Sequence, residues 1–159
     1  EINLNTGWNL ISSNAMPQNP NIIDMFAQVN NLALVKAANG TIYDPTYNIN
    51  TIGYWDIKDA YWVYLTAPST LEFLGAPVKP ENTPIMLKQG WNMVSYLRNS
   101  SMAPADALQS IDGSLIFVKD AFGNIYYPAF GLNTLTNLNP KEGYWIYMTS
   151  PAVLIYPNN

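Results

Sequence analysis

The chain contains no cysteine and no histidine. Without cysteine there is no disulfide, no iron–sulfur cluster and no thiolate zinc site. Without histidine the commonest general base and metal ligand is missing, and Ser-His-Asp and Cys-His mechanisms are excluded. Charge is scarce as well: Asp, Glu, Lys and Arg together make up 11% of the residues, against about a quarter in an average domain. Seven basic residues in a chain of net charge −4 form no stripe that would hold duplex nucleic acid or an anionic membrane. The apolar runs are too short to span a bilayer, so no membrane insertion is expected. No glycine-rich phosphate cradle and no calcium loop occurs, and no cofactor or metal is expected.

What is present is a substantial apolar fraction, 48% of 159 residues, enough to build a core. Asn, Thr and Ser supply the polar surface in place of charge. Such a neutral, hydrogen-bonding surface suits an extracellular or cell-envelope setting. The dominant feature is a duplication. Residues 1–76 and 84–159 align without a gap at an offset of 83, and 23 of the 76 pairs are identical. Gly7-Trp8-Asn9-Leu10-Ile11-Ser12 returns as Gly90-Trp91-Asn92-Met93-Val94-Ser95, and Tyr61-Trp62-Val63-Tyr64 returns as Tyr144-Trp145-Ile146-Tyr147. A repeat of this kind sets the architecture before any other feature.

Each unit reads to one plan. Alternating Ile2 and Leu4, a turn at Thr6-Gly7 and the run from Trp8 to Ser12 predict a tight hairpin of two short strands. Apolar residues at 22, 25, 26 and 29 predict a short helix, with Asn19 as cap and Pro20 in its first turn. The second unit offers Pro104 to Ile111 for the same element. Asn39-Gly40 between β-rich segments predicts a hairpin. Residues 46–58 and 129–141 read as longer loops. Ala60–Thr66 and Gly143–Thr149 read as strong strands, and one more strand closes each unit. Residues 77–83, flanked and punctuated by proline, read as a stiff linker. The expected fold is mainly β with one short helix per repeat. Two homologous units, 1–76 and 84–159, are expected to pack about a pseudo-twofold axis as one sandwich-like or barrel-like body.

Candidate residues separate by whether both copies keep them. Trp8, Trp91, Tyr61-Trp62 and Tyr144-Trp145 are expected to form the core and its edges, since shared packing accounts for their retention; an aromatic platform in each copy is the alternative. Asn9 and Asn92 are expected to close turns. Lys36 and Lys119 are expected on a solvated strand face. The unpaired loop aromatics point more directly to a ligand, because loops on a rigid frame carry function. Tyr54 and Trp55 lie opposite Asn137 and Leu138, Tyr127 lies opposite Asp44, and Tyr47 matches Phe130. These five aromatics are the candidates for stacking on sugar rings, with Asp56 and Asp59 as acceptors of sugar hydroxyls. No catalytic residue is assigned. A carboxylate pair drawn from Asp24, Asp44, Asp56, Asp59, Asp106, Asp112, Asp120 and Glu142 is the one hydrolytic chemistry left open, and no spacing singles out a pair.

The Gly-Trp-Asn-Leu-Ile-Ser segment early in a unit and Gly-Tyr-Trp late in it resemble a repeat module of bacterial secreted and cell-surface proteins. The match covers Gly7 to Ser12 with Ala60 to Trp62, and Gly90 to Ser95 with Gly143 to Trp145; Ala60 departs from the pattern's glycine. The resemblance implies an extracellular, non-enzymatic accessory role. Together these readings lead to a non-catalytic module that binds a polysaccharide or surface glycan. The alternative is a structural module that docks another surface protein for anchoring, adhesion or assembly.

Overall fold

The computed structural model describes residues 1–159. The first half runs β1 (Ile2–Leu4), β2 (Gly7–Ile11), β3 (Ala15–Pro17), α1 (Ile22–Phe26), β4 (Leu32–Ala37), β5 (Ile42–Asp44), β6 (Ile49–Asn50), β7 (Tyr61–Leu65) and β8 (Ser69–Leu71). β9 (Gly75–Pro77) begins the connection. The second half runs β10 (Ile85–Leu87), β11 (Gly90–Ser95), α2 (Pro104–Ala107), β12 (Leu115–Lys119), β13 (Ile125–Tyr127), β14 (Leu132–Asn133), β15 (Gly143–Met148) and β16 (Ala152–Leu154). The protein is mainly β with short helices, as composition and patterning predict. No helix is long and apolar enough to cross a membrane.

Both halves use the same strand order. One five-stranded antiparallel sheet is ordered β2-β7-β4-β5-β6 and the other β11-β15-β12-β13-β14. Each has a bulge at the same place, between Leu32 and Leu34 and between Leu115 and Phe117. The expected opening hairpin is not formed. β1 pairs instead with β8, and β10 with β16, while β2 and β11 join the large sheets. The intervening turn is therefore a corner between layers. Gly7 and Gly90 take φ of +88° and +86° there, a region open to glycine. Asn9 closes the corner: its Oδ1 accepts from Asn5 N at 2.9 Å and its Nδ2 donates to Asn5 O at 2.8 Å. Asn92 does the same with Lys88.

In the first half the inner sheet face, the β1–β8 ribbon and α1 enclose one core containing Ile2, Leu71, Phe26, Val35, Tyr61 and Val63. Residues 22, 25, 26 and 29 all enter it, as their helical spacing predicts. The cap is Asn21 rather than Asn19: its side chain accepts from Ile23 N and Asp24 N. Asn19 acts one step earlier, accepting from Asn21 N. The second half has its own core around Tyr96, Leu108, Val118, Tyr144 and Tyr156, and Ile57 from the first half is buried within it. The linker is more than a spacer, since β9 pairs with β3.

The halves do not share a sheet. They meet through a third cluster of Leu10, Ala60 and Met93, flanked by Trp62 and Trp145. Several of their contacts come in exchanged pairs. Ile11 bridges Glu142 and Val94 bridges Asp59. Ser12 N donates to Lys141 O at 2.9 Å, and Ser95 N to Lys58 O at 3.1 Å. Each member of such a pair lies 83 residues from its counterpart.

Candidate functional site

Strand alternation decides which aromatics reach the surface. In β7, Tyr61, Val63 and Leu65 are buried while Trp62 and Tyr64 face outward. In β15, Tyr144, Ile146 and Met148 are buried while Trp145 and Tyr147 are turned the other way. Trp8 pairs with Tyr64, and Trp91 with Tyr147, so both tryptophans join the outward face. Of the residues expected to form the core and its edges, the tyrosines are core and the tryptophans are its outer edge, with Trp62 and Trp145 packed against the junction cluster. Trp8 is 51% exposed, and only the tyrosine of each Tyr-Trp pair is interior.

On the second sheet the outward rings form one run. Phe130 and Tyr127 lie 4.6 Å apart between centroids, Tyr127 and Phe117 5.5 Å, Phe117 and Trp91 5.0 Å, and Trp91 and Trp145 5.9 Å. Tyr147 packs beside Trp91 at 5.0 Å. Lys119 Nζ sits 4.9 Å from the Trp91 ring centre, a cation–π placement. The first sheet carries a shorter version, with Trp8 5.1 Å from Tyr64 and 6.1 Å from Trp62. It stops there because Leu34 stands where the second half has Phe117, and Asp44 where it has Tyr127.

Of the loop aromatics expected to stack, the structure brings Tyr127 and Phe130 together and leaves Tyr47 and Tyr54 exposed elsewhere, at 75% and 67%. Trp55 is a correction. It is 3% exposed and stacks on Tyr61 at 4.3 Å. Its loop is laced to the start of α1: Ile22 N donates to Gly53 O at 3.0 Å and Trp55 N to Pro20 O at 2.7 Å. Leu138, its counterpart, is buried too. The signal was present in the alignment, since both residues at that position are apolar. Asp56 is exposed and its carboxylate accepts from Lys58 N.

Two clefts lie where the halves meet. The larger, about 650 Å³, is lined by Trp91, Trp145, Lys88 and Lys119 of the second half and by Asn39 and Asp59 of the first. The other, about 450 Å³, is built from equivalent positions, among them Trp8, Asn9, Asp120, Phe122 and Glu142. Their acids differ. Asp120 accepts from Phe122 N, Asn124 N and Asn124 Nδ2. Glu142 accepts from Tyr144 Oη at 2.7 Å and from Asn139. The Asp59 carboxyl has no such donor; although the residue is exposed at the cleft mouth, the partial burial of its carboxyl pushes it up to about 6, and the neighbouring Asp56 carboxylate adds to the rise. Nowhere do three or more acidic side chains gather in a way that could hold a metal ion.

The Asp59 shift has a measurable consequence. Its folded value lies above the ordinary 3.8, so the folded chain holds that proton more tightly than the unfolded chain does. The resulting stabilisation is complete below about pH 4 and is lost as pH rises through about 6. Relative to Asp59→Asn, the parent therefore gains in urea midpoint as pH falls from about 7 to about 4, by a small amount because water screens the group. Midpoints of the two proteins that move in parallel would contradict this.

Compared with protein-family models, with curated proteins and with solved structures, the chain matches none.

Proposed function

We propose that this chain is a non-catalytic glycan-binding module of an extracellular or cell-envelope protein, and that it binds with the outward face of its second sheet. The aromatic run from Phe130 to Trp145 carries the reading. Its rings come from β11, β12, β13 and β15, with Phe130 in the turn that follows β13, and successive ring centres lie 4.6 to 5.9 Å apart. Sugar rings present apolar C–H faces that stack on aromatic faces, while their hydroxyls suit a surface rich in Asn, Ser and Thr. The low charge of the chain fits a neutral ligand. The binding surface thus differs from the loop cluster read from the sequence, with Tyr127 and Phe130 common to both.

Phe130, 75% exposed, provides the test. Phe130→Ala is expected to weaken retention on an insoluble polysaccharide several-fold, since one stacked ring contributes about 1 kcal/mol. The melting temperature should hardly move, because surface substitutions stay within about 0.5 kcal/mol. Equal retention of variant and parent would remove the sheet face from the site.

A second reading, a docking surface for another protein, is favoured by the exposed aliphatic residues Leu74, Met86 and Leu132. These offer nothing to a sugar face. It predicts no glycan retention at all, and loss of a protein partner on Leu132→Ser.

A further inference from the structure

We propose that the chain carries a second glycan site, in the smaller cleft between the halves, and so binds two glycan segments at once. The inference rests on the glycan-binding reading of the second sheet and adds a valency to it. The second site is built on Trp8 of the first half and Phe122 of the second, which both line that cleft of about 450 Å³, a size within the range that ligand sites occupy. The two rings are 51% and 76% exposed. Phe122 has no counterpart ring, since Asn39 holds its position in the first half. Its turn is fixed: Phe122 N and Asn124 N donate to Asp120 Oδ1 at 2.8 and 2.9 Å, and Asn124 Nδ2 donates to Oδ2 at 2.7 Å. A large ring held in water by an ordered turn adds nothing to a core, and stacking on the apolar face of a sugar covers it.

Trp8 is set from the other side. Tyr64 and Trp62 lie 5.1 and 6.1 Å from it, close to the 5.0 and 5.9 Å that Tyr147 and Trp145 keep from Trp91. The same Trp-Trp-Tyr group thus stands in both halves, once in the long aromatic run and once beside this cleft. A hollow of about 310 Å³ lined by Trp8, Trp62 and Lys36 continues the surface past Trp8. The polar groups left to a ligand suit hydroxyls. Asp120 is taken up by its turn, and Glu142 by Tyr144 and Asn139. Asn3, Asn5 and Thr6 line the cleft from an exposed corner, and Lys141 is the remaining charged residue of the lining. Amides and hydroxyls donate and accept together, as sugar hydroxyls do.

The test uses the full chain and a panel of cello-, chito-, manno- and xylo-oligosaccharides from trimer to hexamer, with stoichiometry read by calorimetry or equilibrium dialysis. Two sites predict two oligosaccharides bound per chain. Phe122→Ala should weaken one of them about fivefold, with the melting temperature nearly unmoved. Adding Trp8→Ala should leave one oligosaccharide per chain, held with the parent's affinity for the sheet face. Phe130→Ala should weaken the other site and leave this one as it was. If the parent binds a single oligosaccharide that Phe130→Ala weakens, or if the variant lacking both Phe122 and Trp8 still binds two, the second site is overturned and the sheet-face reading stands. If that double variant loses all binding while Phe130→Ala loses none, the cleft stands alone and the sheet face falls. If no member of the panel binds, both fall together.

Discussion

Replacing Trp55 by alanine is expected to lower the unfolding free energy by about 3–5 kcal/mol, which in a chain of this size moves the melting temperature by on the order of 10 °C. The indole fills the space between Tyr61 and Phe26, at centroid distances of 4.3 and 6.5 Å. Its removal leaves a void lined by the helix and by β7, neither of which can close in without losing the backbone bonds that tie residues 53 and 55 to residues 20 and 22. The companion substitution is gentler. Trp55 Nε1 is buried with no hydrogen-bond partner, so Trp55→Phe deletes an unsatisfied donor and keeps the ring stack. That variant should melt within a few degrees of the parent. Thermal and urea unfolding of the two variants check the pair of expectations. A Trp55→Ala protein as stable as its parent would mean that the loop is not packed as described.

The second large effect is at the junction. A methyl group added at Gly143 would lie 2.5 Å from Ala60 Cβ and 2.9 Å from Leu10 Cγ. Ala60 Cβ is fixed to the backbone and cannot swing aside. Gly143→Ala is therefore expected to cost about 1–3 kcal/mol through overpacking. Ala60 is itself the counterpart of Gly143, so the junction has room for one methyl between the two positions. The swapped protein, Ala60→Gly with Gly143→Ala, restores that total. Its stability should return to within about 1 kcal/mol of the parent, giving a coupling energy that a double-mutant cycle measures directly. Strictly additive losses would show that the two positions do not share the space.

The elements were more legible in the sequence than their partners. Period-two alternation in Tyr61–Leu65 and helical spacing at residues 22, 25, 26 and 29 are local signals, and all of these residues face as the spacing requires. The partner of β1 is β8, across most of the half; nothing local to residues 2–12 distinguishes that pairing from a hairpin. The linker paired with β3 for the same reason. The site was partly legible. Tyr127 stands out as an aromatic where the first half has Asp44, and Phe130 as a loop aromatic although Tyr47 matches it; both lie in the run. Trp91 and Trp145 were hidden by their retention in both copies. Retention there reflects an outward face kept twice, which composition alone does not separate from a core kept twice. Asp59 was named as a polar reader, but its place in a cleft depends on the packing of the halves against each other.

The frame ribbons also decide how each half answers to tension. Ile2 faces Leu71 and Ile85 faces Leu154, so the first and last strands of a half run antiparallel with their outer ends side by side. Their hydrogen bonds lie across the strands, and a pull applied at those two ends strains them one after another rather than all at once. Stretched along its length, the chain would peel from its margins at low force, shedding β1 and β10 while the five-stranded sheets still held.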